Sequence, residues 1–273
     1  MIRISQFGEI TRYDLSRSIL GHGVYWTTAY HIDGLLIDTG CSFTAAELHA
    51  ILAEKKILQI INTHSHEDHI GGNLKIQNSN QNIQTFAHPA AVPVIKNPKK
   101  HQPLHLYRRI IWGMPSPARA NPLDDGEFIK SDRFRFLVMY TPGHTEDHLC
   151  LYEPEQQWIF TGDLFVGGWE RTARAGTDIW KIIKSLKMIS QLPLKAMYPS
   201  AARVRIEPDV ILQEKISYLE ATGNEVLALA DQGLSESEIS REVLGGPIWI
   251  EFITMGHLSR INLVRSYLRF ERD

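Results

Sequence analysis

The chain has 273 residues, 43% of them hydrophobic and 22% charged, which suits a globular protein with one large or two small cores. Lysine and arginine total 29 against 31 aspartate and glutamate, a net charge of −2 that disfavours nucleic acid or an acidic membrane surface as a partner. No apolar run reaches the ~20 residues that span a bilayer, and the opening MIRISQFGEITRYDL lacks an apolar signal core, so the expected setting is cytoplasmic with no membrane.

In chain order, β-branched and apolar residues predict strands over Val24–Tyr30 and Leu35–Ile37, with Asp33-Gly34 as the hairpin turn between them. Ser42 or Thr44 is placed to cap a helix over Ala45–Glu54. Short strands follow at Ile57–Ile61 and Thr85–Ala87. Residues 89–125 then change character, with seven prolines from Pro89 to Pro122 and a basic aromatic knot at Tyr107-Arg108-Arg109. A proline-punctuated insertion of this length is expected to be a lid or substrate-facing segment, with Tyr107, Arg108, Arg109 and Trp112 its candidate contacts. Strands return at Phe134–Tyr140, Leu149–Tyr152 and Trp158–Thr161, then a helix over Asp178–Gln191 and a strand at Ala196–Tyr198. Helices are expected around Pro208–Ala230, Ser235–Val243 and Leu258–Phe270. The cysteines, Cys41 and Cys150, read as small buried hydrophobes rather than a disulfide framework. Strands and helices alternating twice make this an α/β chain, whose polar motifs at strand ends would meet along one edge of two packed sheets.

The strongest signal is Asn62-Thr63-His64-Ser65-His66-Glu67-Asp68-His69-Ile70-Gly71-Gly72, with four metal-ligand side chains in six residues after a buried strand. His64 and His66 share a face through the two-residue period of extended chain, and Asp68 and His69 follow one turn later. Gly71 and Gly72 allow close backbone passage beside them. Imidazole with carboxylate suits zinc, iron or manganese better than calcium or magnesium.

This motif resembles that of the metallo-β-lactamase superfamily, and the similarity continues through Asp38-Thr39-Gly40, Thr141-Pro142-Gly143-His144-Thr145 and Thr161-Gly162-Asp163, over roughly residues 20–205. The resemblance implies an αββα sandwich with metal at the sheet edge, residues 1–205 as catalytic domain and 206–273 as a helical extension packed on it. It implies His64, His66 and His144 at a first metal site, Asp68 and His69 at a second, and Asp163 bridging them. Zinc is the expected metal, iron or manganese the alternatives, with one ion held tightly and the second weakly.

The reason for that asymmetry is a departure from the family pattern. Ala201, in Tyr198-Pro199-Ser200-Ala201-Ala202-Arg203, stands where a histidine usually closes the second site. His257 is a candidate substitute ligand, and Arg203 or Arg205 a candidate cation beside the gap. The reading that follows is a metallo-hydrolase acting on a small-molecule ester, thioester or lactone. Asp68 would be the catalytic acid–base group, Asp38 would support the ligand loop, and Trp169, Glu170 and Arg171 would sit at the mouth. Alternatives are a phosphodiesterase or RNA hydrolase, a mononuclear-iron persulfide dioxygenase, or a metal-binding sensor without catalysis. Oligomeric state is left open, a homodimer being compatible.

Overall fold

The central strands of this chain bury both faces, and the alternation of their side chains decides the layering. Along Leu149–Glu153, Leu149 and Leu151 enter one apolar cluster while Cys150 and Tyr152 enter another. The same split divides Ile159 from Phe160, and Met197 from Ala196 and Tyr198. On the other sheet, Leu35 and Ile37 face the inner cluster while Leu36 faces outward. A strand covered on both sides reads as a continuous apolar run, which is why these segments are visible in the sequence. The structure, a computed structural model, describes residues 1–269.

Two sheets result. The first has the order Ile2–Phe7, Ile10–Leu15, Thr27–Ile32, Leu35–Ile37, Gln59–Ile61, Gln84–Ala87, Asn121–Pro122. Its early neighbours are antiparallel, and from Leu35–Ile37 onward the pairing is parallel. The second runs Phe128–Lys130, Arg135–Tyr140, Leu149–Glu153, Trp158–Gly162, Ala196–Pro199, Arg205–Ile206. Within it, Trp158–Gly162 and Ala196–Pro199 are parallel. Tyr30, Ile37 and Ile61 of the first sheet meet Phe136, Leu151 and Phe160 of the second in the inner core.

Helices cover both outer faces. Leu48 of Ala45–Ile51 and Ile76 of Asn73–Gln77 pack with Leu36 and Ile60 outside the first sheet. Outside the second sheet, Trp180 and Leu186 of Ile179–Ser190 share one cluster with Leu212 and Leu219 of Asp209–Asp231 and with Tyr267 of Arg260–Arg269. The expected αββα sandwich is present, and the helices beyond residue 205 share a core with the second sheet.

Element ends differ from the sequence reading where tertiary pairing intervenes. The N-terminal hairpin has no counterpart in that reading; Ile2–Phe7 and Ile10–Leu15 pair in register Ile4↔Tyr13. The helix expected over Ala45–Glu54 stops at Ile51, and Thr44 Oγ1 donates to the Cys41 carbonyl (3.0 Å) instead of capping it. The last helix begins at Arg260, because Leu258 and Ser259 pair as a short strand with Arg174 and Ala173; its expected end, Phe270, lies outside the described residues. The insertion holds three short helices, Ala91–Lys96, Pro98–His101 and Leu106–Ile111.

Candidate metal centre

Parallel strands put their C-terminal ends on the same edge, and the polar motifs follow those ends. Asp38 follows Leu35–Ile37, Thr63 and His64 follow Gln59–Ile61, and Asp163 follows Trp158–Gly162. Asp68 and His69 lie on the single helical turn Glu67–Ile70, and His144 on the turn after Arg135–Tyr140.

The side chains converge. His64 Nε2 lies 2.9 Å from His66 Nδ1, and His144 Nε2 lies 3.1 Å from the same atom. Ligand nitrogens of a tetrahedral zinc ion, with Zn–N near 2.0–2.1 Å, stand roughly 3.3 Å apart, so these three imidazoles have the spacing of a first site. Asp163 Oδ2 lies 3.6 Å from His144 Nε2 and 3.5 Å from His69 Nε2, between the two groups. Asp68 Oδ2 is 3.8 Å from His69 Nε2. His69 Nε2, Asp68 Oδ1 and Asp163 Oδ1 are buried without a hydrogen-bond partner. Buried polar atoms seldom go unpaired in a folded protein, and one on each of these three neighbouring residues fits a cation.

Supporting contacts fix the ligands. The Asp38 carboxylate accepts from Thr63 N–H (2.8 Å) and Thr63 Oγ1 (2.8 Å), and His69 Nδ1 donates to it at 2.8 Å, which turns His69 Nε2 into the site. A carboxylate behind a ligand imidazole sets its tautomer and basicity. His148, missed in the sequence, does comparable work. It is fully buried, its Nδ1 lies 2.9 Å from Thr141 Oγ1, and its Nε2 accepts from Asp163 N–H at 3.2 Å. The only sequence signal was its place four residues after His144, at the edge of a strand. A Cβ on Gly162 (φ +48°) would come within 2.7 Å of that Nε2, and one on Gly71 within 2.4 Å of Ser42 N, so both glycines admit close approach at the ligand loops.

Burial pushes His64 and His66 well below the ordinary imidazole range, helped by charge on His69 and Arg174 respectively. It pushes His144 down to about 4 and His148 to about 3. Neutral imidazole is the metal-binding form. His69 runs the other way: burial lowers it, but the carboxylates of Asp163, Asp38 and Asp68 outweigh that and raise it well above 6.5. Burial pushes the Asp68 carboxyl up to about 6. Asp163 would also be raised by burial, but His69 holds it below the carboxylate range.

A sequence model of the metallo-β-lactamase superfamily matches residues 29–201, which takes in every one of these ligands. The chain belongs to the metallo-β-lactamase superfamily. A hydroxyacylglutathione hydrolase of Francisella tularensis subsp. novicida is 27% identical over 188 residues, 67% of this chain and 63% of that relative, so the chain matches under two thirds of its length. A metallo-β-lactamase family protein of Thermus thermophilus has the same fold at TM-score 0.71 and 18% identity, over 96% of this chain and 94% of that one. A protein crystallised in a di-iron-bound form is 26% identical at TM-score 0.56, over 70% of this chain and 94% of that one.

Within this metallo-β-lactamase fold, several residues fall elsewhere than the sequence suggested. Arg108 does not face a substrate: its Nε donates to Glu67 Oε1 (2.6 Å) and its Nη2 to Glu67 Oε2, a bidentate pair with Glu67 fully buried. That pair ties the insertion to the ligand motif. Arg109 is exposed and lines no part of the cavity at the site. His257 is no ligand; its Nδ1 lies 2.7 Å from Tyr107 Oη, and its ring stacks on His105. Arg205, a candidate cation beside the gap, lies on an edge strand paired with Met197. A cation that the sequence did not suggest, Arg174, reaches the centre: its Nη1 is 2.8 Å from His66 Nε2. The Ala201 turn does reach the site edge: Ser200 N–H donates to the Gly162 carbonyl at 3.0 Å.

A cavity of about 460 Å³ opens onto His144 and Asp163. Tyr107 and Trp112 of the insertion line it, as do Trp169, Glu170 and Arg171. Glu170 also holds Lys215 at 2.6 Å, and Trp169 packs against Tyr218, so this wall is braced by the helix Asp209–Asp231.

Proposed function

We propose that this chain is a metal-dependent hydrolase that cleaves an ester, thioester or lactone with water. The observation that carries the reading is the convergence of His64, His66 and His144, and of His64, His69 and Asp163, with His144 and Asp163 lining an accessible cavity and a buried Asp68 carboxylate with an unpaired oxygen close to His69. His64, His66 and His144 would hold the first metal, and Asp68, His69 and Asp163 a second; zinc suits this donor set, with iron or manganese as alternatives. A metal there supplies a water of lowered pKa and a Lewis acid for the scissile carbonyl. Asp68 orients the attacking water and takes its proton, while Arg174 places positive charge where the carbonyl oxygen becomes negative. Asp38 and His148 keep His69 and Asp163 aimed. The name of the Francisella relative is in keeping with acyl transfer to water on this scaffold.

The ligand count predicts the stoichiometry. Elemental analysis after mild dialysis should find one metal per chain, because the second site has only three ligands, Ala201 standing where a fourth is usual. Two equally retained ions would overturn that assignment.

Ala201→His should tighten the second metal by tenfold or more, since a fourth ligand joins an open site. The measurement is a zinc titration against a chromogenic chelator for both proteins. Unchanged affinity would mean that the Ser200-Ala201 turn does not face the metals.

A further inference from the structure

The cavity joins the candidate metal centre to a wall with a large apolar part, beside which Glu170 and Arg171 also line it. His144, Asp163 and Arg174 line it at the centre, and its apolar part is Trp112, Leu164, Ile182, Trp249, Ile250 and Ile253, drawn from four separate parts of the chain. The outer wall is the short helix Trp249–Ile253, which has no buried residue. Trp249 is 70% exposed and Ile253 53%, and Phe252 beside them is 73% exposed. Large apolar side chains clustered at a cavity mouth mark a surface that an apolar ligand covers.

Resting on the hydrolase reading above, we infer that this cavity is an acyl-chain pocket and that the substrate is the ester or thioester of a medium-length or bulky hydrocarbon acid. The carbonyl carbon sits at the His144–Asp163 end, where water adds to it. The C–O or C–S bond to the leaving group breaks; one proton of the water leaves with that group, the other passes through Asp68 to solvent, and the acid departs as a carboxylate. Arg174 faces that carboxylate as it forms. The hydrocarbon lies against Trp249, Ile250 and Ile253 of the cavity wall. A substrate with its bulk in the leaving group would place that bulk outside this pocket.

The test uses the full-length protein as isolated with its metal. Two ester series are compared, p-nitrophenyl esters with acyl chains from acetyl to dodecanoyl and acetates of lengthening alcohols. Sodium decanoate and sodium butyrate are titrated by calorimetry. Each methylene added to the acyl chain should raise kcat/KM by about two- to fourfold until the cavity is filled, and decanoate should bind at least tenfold more tightly than butyrate. Trp249→Ala with Ile253→Ala should lower the decanoyl-to-butyryl ratio of kcat/KM and the decanoate affinity about tenfold; both side chains are exposed, so the fold is retained. Hydrolysis that is indifferent to acyl length, with decanoate binding no better than butyrate, would overturn the pocket and leave the hydrolase reading intact. Chain-length-dependent binding of decanoate without hydrolysis of any ester or thioester would support the pocket and overturn the hydrolase reading. A gain in rate along the alcohol series instead would also sink the acyl assignment.

Discussion

Asp68→Asn should lower kcat/KM on the hydrolysed ester by about 100-fold or more. The substitution keeps the volume and shape of the side chain on the Glu67–Ile70 turn but removes its charge and its capacity to take a proton. Asp68 is 3% exposed, its Oδ1 has no hydrogen-bond partner and its Oδ2 faces His69 at 3.8 Å, so no other acid stands in the same position. Asp163 is the nearest rival, and it lies between His69 and His144 as the bridging ligand. Metal content measured on the same sample separates the two ways activity can fall. If the variant keeps its metal and loses rate, the loss is in proton handling; if metal leaves as well, Asp68 is chiefly a ligand. Full activity with full metal would remove Asp68 from the mechanism.

Breaking the Arg108–Glu67 pair should have the largest effect on stability. Arg108→Met leaves a Glu67 carboxylate with 0% exposure and no partner, and removing one member of a buried ion pair costs about 3–5 kcal/mol. For a chain of this size that lowers the Tm on the order of 10 °C, measured by calorimetry. Arg108→Met combined with Glu67→Leu should recover most of the loss, because the stranded charge is gone. The metal ligands flank Glu67 in the chain, so the single variant should also weaken metal retention. A single variant less than about 1 kcal/mol destabilised would mean that the insertion is anchored elsewhere, through contacts such as Tyr107 with His257.

The metal ligands were legible in the sequence because each one sits at, or a few residues beyond, the end of a strand whose apolar run announces it. Burial on both faces makes Gln59–Ile61 and Trp158–Gly162 conspicuous; parallel pairing puts Asp38 and His64 at one edge of the first sheet, and the packing of the two sheets brings Asp163 of the second to meet them. The hairpin at Asp33-Gly34 was legible too, since both residues adopt positive φ (47° and 83°), the left-handed region that Asp tolerates and Gly favours. The N-terminal hairpin was not, because Ile2–Phe7 is an edge strand with mostly exposed side chains and no apolar run.

What only the tertiary structure decided is which distant residues reach the centre. Arg108 reads as a substrate-facing cation until the fold brings it to Glu67, 41 positions away. His257 reads as a spare ligand until the fold sets it against Tyr107, 150 positions away. Arg174 carries no motif at all, and it meets His66 because its strand pairs with Leu258-Ser259 from the far end of the chain. Side-chain period tells which face a residue occupies, not what that face meets. The ligand set was therefore written in local spacing, whereas the pocket walls, the supporting His148 and the Arg174 cation beside His66 depend on long-range packing that no local pattern encodes.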